Sequence, residues 1–219
     1  MPAKRSHHIS SRDVEILDFI SRFGVVPRSA ADTWAGTART VSRSRERRLR
    51  NDNLIRVERG FGELGPFLLA TKLGLKASGR RELSTARLSL AALSHDTVVA
   101  GLAARLERQG HRLLSEREIL AHERAAGDRS LSAQLPGDRF HRADLIRLDP
   151  EGGPGEAIEV ELSTKGAARL DELLRGWRRA VIDRRISRVT YHCAPRTLPY
   201  VQRAIARTQT DAMVSTTGL

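Results

Sequence analysis

His141-Arg142-Ala143-Asp144-Leu145-Ile146-Arg147-Leu148 is an apolar run with an acid inside it. Ala157-Ile158-Glu159-Val160-Glu161-Leu162-Ser163-Thr164-Lys165 is a second run, and it carries two more. Between them stands Asp149-Pro150-Glu151-Gly152-Gly153-Pro154-Gly155, whose prolines and glycines make it a connection between two strands. Side chains alternate faces along a strand, so Glu159 and Glu161 point the same way. Ser163 and Lys165 follow if the strand stays extended. Asp144, Glu159 and Glu161 then converge across the hairpin as an all-oxygen set suited to Mg²⁺ or Mn²⁺. The plainer alternative is a row of acids facing solvent on the open side of a sheet.

Working outward, the 219 residues suffice for one large domain or two modest ones, and 40% hydrophobic with 29% charged residues reads as a globular chain. No apolar run is long enough to span a bilayer, and Met1-Pro2-Ala3-Lys4-Arg5-Ser6-His7-His8 lacks the apolar stretch of a signal peptide. The expectation is a cytoplasmic protein with no membrane partner. Cys193 is the sole cysteine, which excludes an internal disulfide and a cysteine-based zinc site, and it reads as buried filler. The net charge of +12 and pI near 11.2 point to a polyanion, and double-stranded DNA is the expected partner. An aromatic content of 4% leaves few stacking platforms for single-stranded RNA. The charge is uneven: residues 1–82 hold 17 Lys or Arg against 9 Asp or Glu, whereas residues 83–219 hold 21 against 17.

In that basic first third, Ser10-Ser11-Arg12-Asp13 reads as a helix start ahead of Val14, Ile16, Leu17, Ile20 and Phe23, with Gly24 as the stop. Pro27 begins a second short helix with Ala30, Ala31 and Trp34 inward, and a third runs from about Thr37 to Asn51. Leu54-Ile55-Arg56-Val57 and Phe67-Leu68-Leu69-Ala70 are strands around a Gly/Pro turn, and Thr71 caps a last short helix. Three helices followed by a hairpin is the order of a winged helix-turn-helix, whose third helix enters the major groove. Val41 and Leu49, with Ala38 and the stem of Arg45, are expected to form its buried stripe. Arg39, Thr40, Ser42, Arg43, Arg47 and Arg50 are its expected DNA-facing residues, joined by Arg56 and Arg59 on the wing. Six arginines stand against Glu46 alone between residues 36 and 51; the plain alternative is a solvated arginine-rich face.

Residues 78–93 read as a connector between a DNA-binding domain at 1–77 and a second domain at 94–219. Ser94-His95-Asp96 opens an amphipathic helix. Arg112 to Ile119 is a candidate strand, 120–138 a loop, 167–183 a helix with Leu170, Leu173, Leu174, Trp177, Val181 and Ile182 inward, and Ile186 to Ala194 a buried strand. The resulting mixed α/β (α+β) chain has the order α-β-β-β-α-β after residue 93. With an acid early in the second strand and an acid-x-acid pair in the third, it resembles the PD-(D/E)XK restriction-endonuclease-like core. That resemblance implies Asp144 and Glu159 as ligands of Mg²⁺ or Mn²⁺, and Asp96 as the acid that completes the metal site from the first helix. Glu161 stands where the family most often has Lys, and Lys165 is the residue that would supply the ammonium. The implied catalytic set is Asp144, Glu159, Glu161 and Lys165.

Over residues 12–207 the chain also resembles the replication-relaxation family of actinobacterial plasmids and integrative elements. The residues that carry the likeness are Arg12-Asp13-Val14-Glu15-Ile16-Leu17, Arg47-Arg48-Leu49 leading to Leu54-Ile55, Thr71-Lys72-Leu73-Gly74, Leu93-Ser94-His95-Asp96 and Glu159-Val160-Glu161-Leu162-Ser163. It implies a winged-helix DNA-binding domain joined to a nuclease-like domain, with a role in the replication or transfer of a mobile element. The basic helix-turn-helix and the convergent acids add the expectation of a metal-dependent endonuclease or nickase, and a homodimer is expected because winged-helix and nuclease-like domains often pair. The alternative is a non-catalytic regulator or replication/partition factor on a degenerate nuclease fold.

Overall fold

The computed structural model describes residues 9–37, 39–59 and 64–219; for Arg39 it describes the backbone alone. Gly60 to Glu63 of the turn expected over residues 60–66, the side chain of Arg39, and Ala38 of the expected stripe lie outside the described residues. The chain is mixed α/β and divides into two compact units, 1–105 and 106–219.

The first unit opens with α1 (Ser11–Phe23), set by a reciprocal cap. The Asp13 amide donates to Ser10 Oγ (3.2 Å), and the Ser10 amide donates back to the Asp13 carboxylate (3.1 Å). β1 (Val26–Pro27), α2 (Arg28–Ala35), α3 (Arg39–Asn51), β2 (Ile55–Arg59), β3 (Pro66–Ala70) and α4 (Lys72–Ala77) follow. The strands form an antiparallel sheet in the order β1-β3-β2, with Ile55 opposite Ala70 and Val26 opposite Leu68. β1 is too short to show an alternation in the sequence. Within α3 the expected stripe is corrected in part. Leu49 is buried and Arg45 is mostly covered, but Val41 is 48% exposed. The segment after α4 packs on its own unit: Leu93 joins Val25, Phe67 and Leu69 in a core cluster that Ala86 and Leu88 cover.

Helix α5 (Leu93–Arg108) leads into the second unit. There β4 (Leu113–Ser115), α6 (Glu116–Ala126), β5 (Ser132–Leu135), β6 (Arg139–Arg142), β7 (Leu145–Arg147), β8 (Glu156–Glu161), α7 (Ala167–Ile182), β9 (Arg188–Cys193), α8 (Leu198–Thr208) and β10 (Val214–Gly218) follow in turn. Five strands make one sheet in the order β10-β9-β8-β7-β4, antiparallel from β4 to β8 and parallel from β8 to β10. β5 and β6 pair separately. Trp177, Leu170 and Leu174 of α7 are wholly buried in a core shared with Ile146, Ala157, Val189 and Val201; Ile182, expected inward, is 57% exposed.

Three expectations fail here. The strand foreseen at Arg112–Ile119 stops at Ser115, because Ser115 and Glu118 close a second reciprocal cap that starts α6. The foreseen loop 120–138 contains the rest of that helix and β5. The run from His141 to Leu148 is two strands that separate at Ala143–Asp144 and pair with different partners. The order helix-strand-strand-strand-helix-strand survives in α5-β4-β7-β8-α7-β9, with α6 and the β5–β6 hairpin inserted after its first strand.

Candidate functional site

The break between β6 and β7 is what presents Asp144. The pairing of Leu145 with Ile158, carried one step further, sets Asp144 across from Glu159. The Val160 amide donates to Asp144 Oδ2 at 2.7 Å and fixes that carboxylate against β8. β8 is the middle strand of the sheet and is buried along its whole length, so Glu159 and Glu161 are each only 3% exposed. Buried carboxylates require partners. Glu159 Oε1 accepts from Trp177 Nε1 (3.1 Å) and is 2.8 Å from His141 Nε2. Burial opposes charge on His141, but the Glu159 carboxylate and its hydrogen bond, with Asp144 behind them, outweigh it and raise the imidazole above its ordinary value. Glu161 Oε2 is ion-paired with Lys165 Nζ. β8 has ended by then, so Lys165 reaches Glu161 by folding back from the following bend, and Tyr200 Oη holds its carbonyl.

All four residues named for catalysis therefore lie in one region of the second unit, and the structure adds three that the sequence did not single out. His141 and Tyr191 had no signal, since an isolated residue on a short strand is usually packing. Glu116, inside the stretch expected as a strand, is instead the first residue of α6, and its amide donates to the Asp144 carbonyl (3.1 Å). Burial first, then the Asp144 and Glu159 charges, raise its carboxyl against the opposing pull of Arg142 and His141. Glu118 is committed to the cap of α6. Asp96 sits in the first turn of α5, in the first unit, with His95 Nδ1 4.0 Å away.

As placed, no three His, Cys, Asp or Glu side chains among the described residues form a group that could hold a metal ion. The donor chemistry nevertheless fits a hard divalent cation: every acid is an oxygen ligand. Glu159 Oε2 and Glu161 Oε1 accept no hydrogen bond among the described residues, and the Tyr191 hydroxyl is buried with no partner. The Cys193 thiol is pushed up to about 11 by burial and by Glu161, and stays protonated.

In the first unit the basic residues sort by whether they already have a partner. Arg45 and Arg48 bind the buried Asp13, Arg48 at 2.5 Å. Arg28 grips Glu46 at 2.5 and 2.6 Å, and Arg43 lies 3.7 Å from it. Ser42 donates to Asp32, and Arg56 is held by Glu58 (3.0 Å) and the Ala86 carbonyl (2.5 Å). Thr40, Arg47, Arg50 and Arg59 are exposed and have no partner among the described residues. Of the expected DNA-facing set, these four are open, and Ser42, Arg43 and Arg56 are committed within the fold. Lys72, Lys76 and Arg81 line a shallow groove with Ser84 and Thr85 and make no ion pair among the described residues; the lysines four apart on α4 were the available signal.

No protein-family model matches the chain, and no curated protein or solved structure does. No helix among the described residues is long and apolar enough to cross a membrane.

Proposed function

We propose that the chain binds double-stranded DNA through a winged helix-turn-helix formed by α1 to β3, and that its second unit is a PD-(D/E)XK-type nuclease domain. In this proposal it is a Mg²⁺- or Mn²⁺-dependent endonuclease or nickase of the replication-relaxation kind, acting in the replication or transfer of a mobile element. The observation that carries it is Asp144 facing Glu159 across the β7–β8 pair, with Glu161 two residues on and Lys165 folded back beside it. The strand order around these acids supports the fold. The α1-β1-α2-α3-β2-β3 order and the exposed Arg47, Arg50 and Arg59, which have no partner among the described residues, support DNA contact.

Asp144 and Glu159 would hold the metal, and Glu116 at the start of α6, whose carboxyl feels both of their charges, would be the helix acid to join them. The bound ion would polarise the scissile phosphate and lower the pKa of water. Lys165 carries the ammonium that offsets charge building on the phosphate, and its pairing with Glu161 keeps that ammonium at the carboxylates. Trp177 and the Val160 amide fix Glu159 and Asp144 from behind. A homodimer would bring one such site to each strand.

A second proposal is favoured by one observation: His141 and Lys165 already partner Glu159 and Glu161 from within the chain. On that account the second unit is a non-catalytic clamp or dimerisation platform of a regulator or partition factor. Cleavage of supercoiled DNA in Mg²⁺ or Mn²⁺, lost in Asp144→Ala, supports the nuclease; duplex affinity without cleavage or any metal effect supports the regulator.

A further inference from the structure

Tyr191 is wholly buried, and its hydroxyl has no hydrogen-bond partner among the described residues. Buried hydroxyls are nearly always bonded, so an open one calls for an explanation. Filling the core does not explain it, because a phenylalanine would occupy the same volume without stranding a donor. The strand register says what the hydroxyl faces. In the parallel β8–β9 pair Tyr191 stands beside Glu159, and Cys193 beside Glu161, so Tyr191 rises on the sheet face that carries both acids. Burial, followed by the charges of Glu159, Glu161 and Asp144, raises the phenol well above its ordinary value. It is therefore a protonated donor among three carboxylates, two of which keep an oxygen without a hydrogen bond.

We infer that Tyr191 is a positioning residue of the divalent-cation site, donating its hydroxyl hydrogen to Glu159 Oε2 or Glu161 Oε1 when a cation draws those carboxylates together. In this structure Glu159 leans on His141 and Trp177 and Glu161 on Lys165, and the phenol has no acceptor among the described residues. With a cation held there, the hydroxyl would orient a carboxylate ligand, as the hydrogen-bond partners of metal ligands commonly do. This inference rests on the proposed metal site and adds to it a residue that touches neither DNA nor metal.

The test uses the full chain and Mn²⁺ as the only ligand, with binding followed by calorimetry and by thermal unfolding. Tyr191→Phe is expected to unfold at or above the wild-type temperature without metal, since the stranded hydroxyl is gone. It is expected to bind Mn²⁺ about 10-fold more weakly, the lower end of outer-shell effects, and to show a smaller Mn²⁺-induced rise in unfolding temperature. A Tyr191→Phe protein with wild-type Mn²⁺ affinity, beside a Glu159→Gln protein that has lost it, overturns the inference and leaves the metal site standing. A wild-type chain that binds no Mn²⁺ overturns both. An independent reading needs no change at Tyr191. The chain has 2 tyrosines, so Tyr200→Phe isolates the Tyr191 ring, whose Raman doublet reports phenol hydrogen bonding. Its doublet is expected to shift on adding Mg²⁺, and an unchanged doublet at saturating Mg²⁺ overturns the inference.

Discussion

Replacing Arg47 and Arg50 together by alanine tests whether the open face of α3 meets DNA. Both side chains are exposed and unpartnered among the described residues, so their loss removes no contact that holds the fold. Unfolding temperature should stay close to wild type, as exposed substitutions usually fall within about 0.5 kcal/mol. Each phosphate contact contributes about 0.9 to the slope of log affinity against log salt, so losing two should flatten that slope by about 1.8. Over a fourfold rise in salt, wild type should then lose about 12-fold more affinity than the double variant. Arg48→Ala is the control. Its guanidinium is 2.5 Å from a carboxylate that is 1% exposed, yet it is itself 40% exposed. It should lower stability by about 1–2 kcal/mol and leave the slope alone. Fluorescence anisotropy on a duplex at several salt concentrations gives the slopes, and thermal melting gives the stabilities. An unchanged slope in Arg47→Ala/Arg50→Ala, or an equal fall in Arg48→Ala, would refute the assignment of these arginines.

Asp13 is held below its ordinary value: burial works to raise it, but the bonds from Ser10 and Arg48 prevail. Its contribution is therefore present above pH 3.8 and is lost as pH falls through the lowered folded value; Asp13→Asn should cost about 2–3 kcal/mol at pH 7 and flatten the acid limb of a stability profile. His141 is the opposite case. Its contribution is present below 6.5 and lost as pH rises through the raised folded value, so His141→Gln should flatten the stability profile over that window in metal-free buffer. At Gly176, inside α7, an added Cβ would lie 2.7 Å from the Gln134 carbonyl oxygen; Gly176→Ala should lower stability by about 1–3 kcal/mol, and a neutral result would mean that α7 does not pack so closely on β5.

Elements with strong local signals were legible in the sequence. The Ser10–Asp13 cap, the Gly24 stop and the apolar stripe of α7 are set by neighbouring residues, and the structure places them close to where the spacing does. What misled was equally local. Glu116 and Glu118 alternate like strand residues, but the cap at Ser115 overrides a pattern only a few residues long. Val41 looked like core because only Leu49 and it are large apolar residues on α3, whereas that helix packs through the Arg45 and Arg48 contacts to Asp13. Asp144, Glu159 and Glu161 could be paired in advance because a hairpin fixes its own register. His141 and Glu116 belong to other elements, and Tyr191 comes from a strand reached only after α7, so their approach depends on tertiary contacts that no spacing records.

The central claim is tested most directly by incubating supercoiled plasmid with the purified chain in Mg²⁺ or Mn²⁺, beside Asp144→Ala and Glu159→Gln proteins shown to bind duplex DNA as wild type does. The expected result is conversion to open-circular or linear DNA by wild type alone, abolished by chelating the metal. Plasmid left supercoiled by wild type, or cut equally fast after Asp144→Ala, would contradict it.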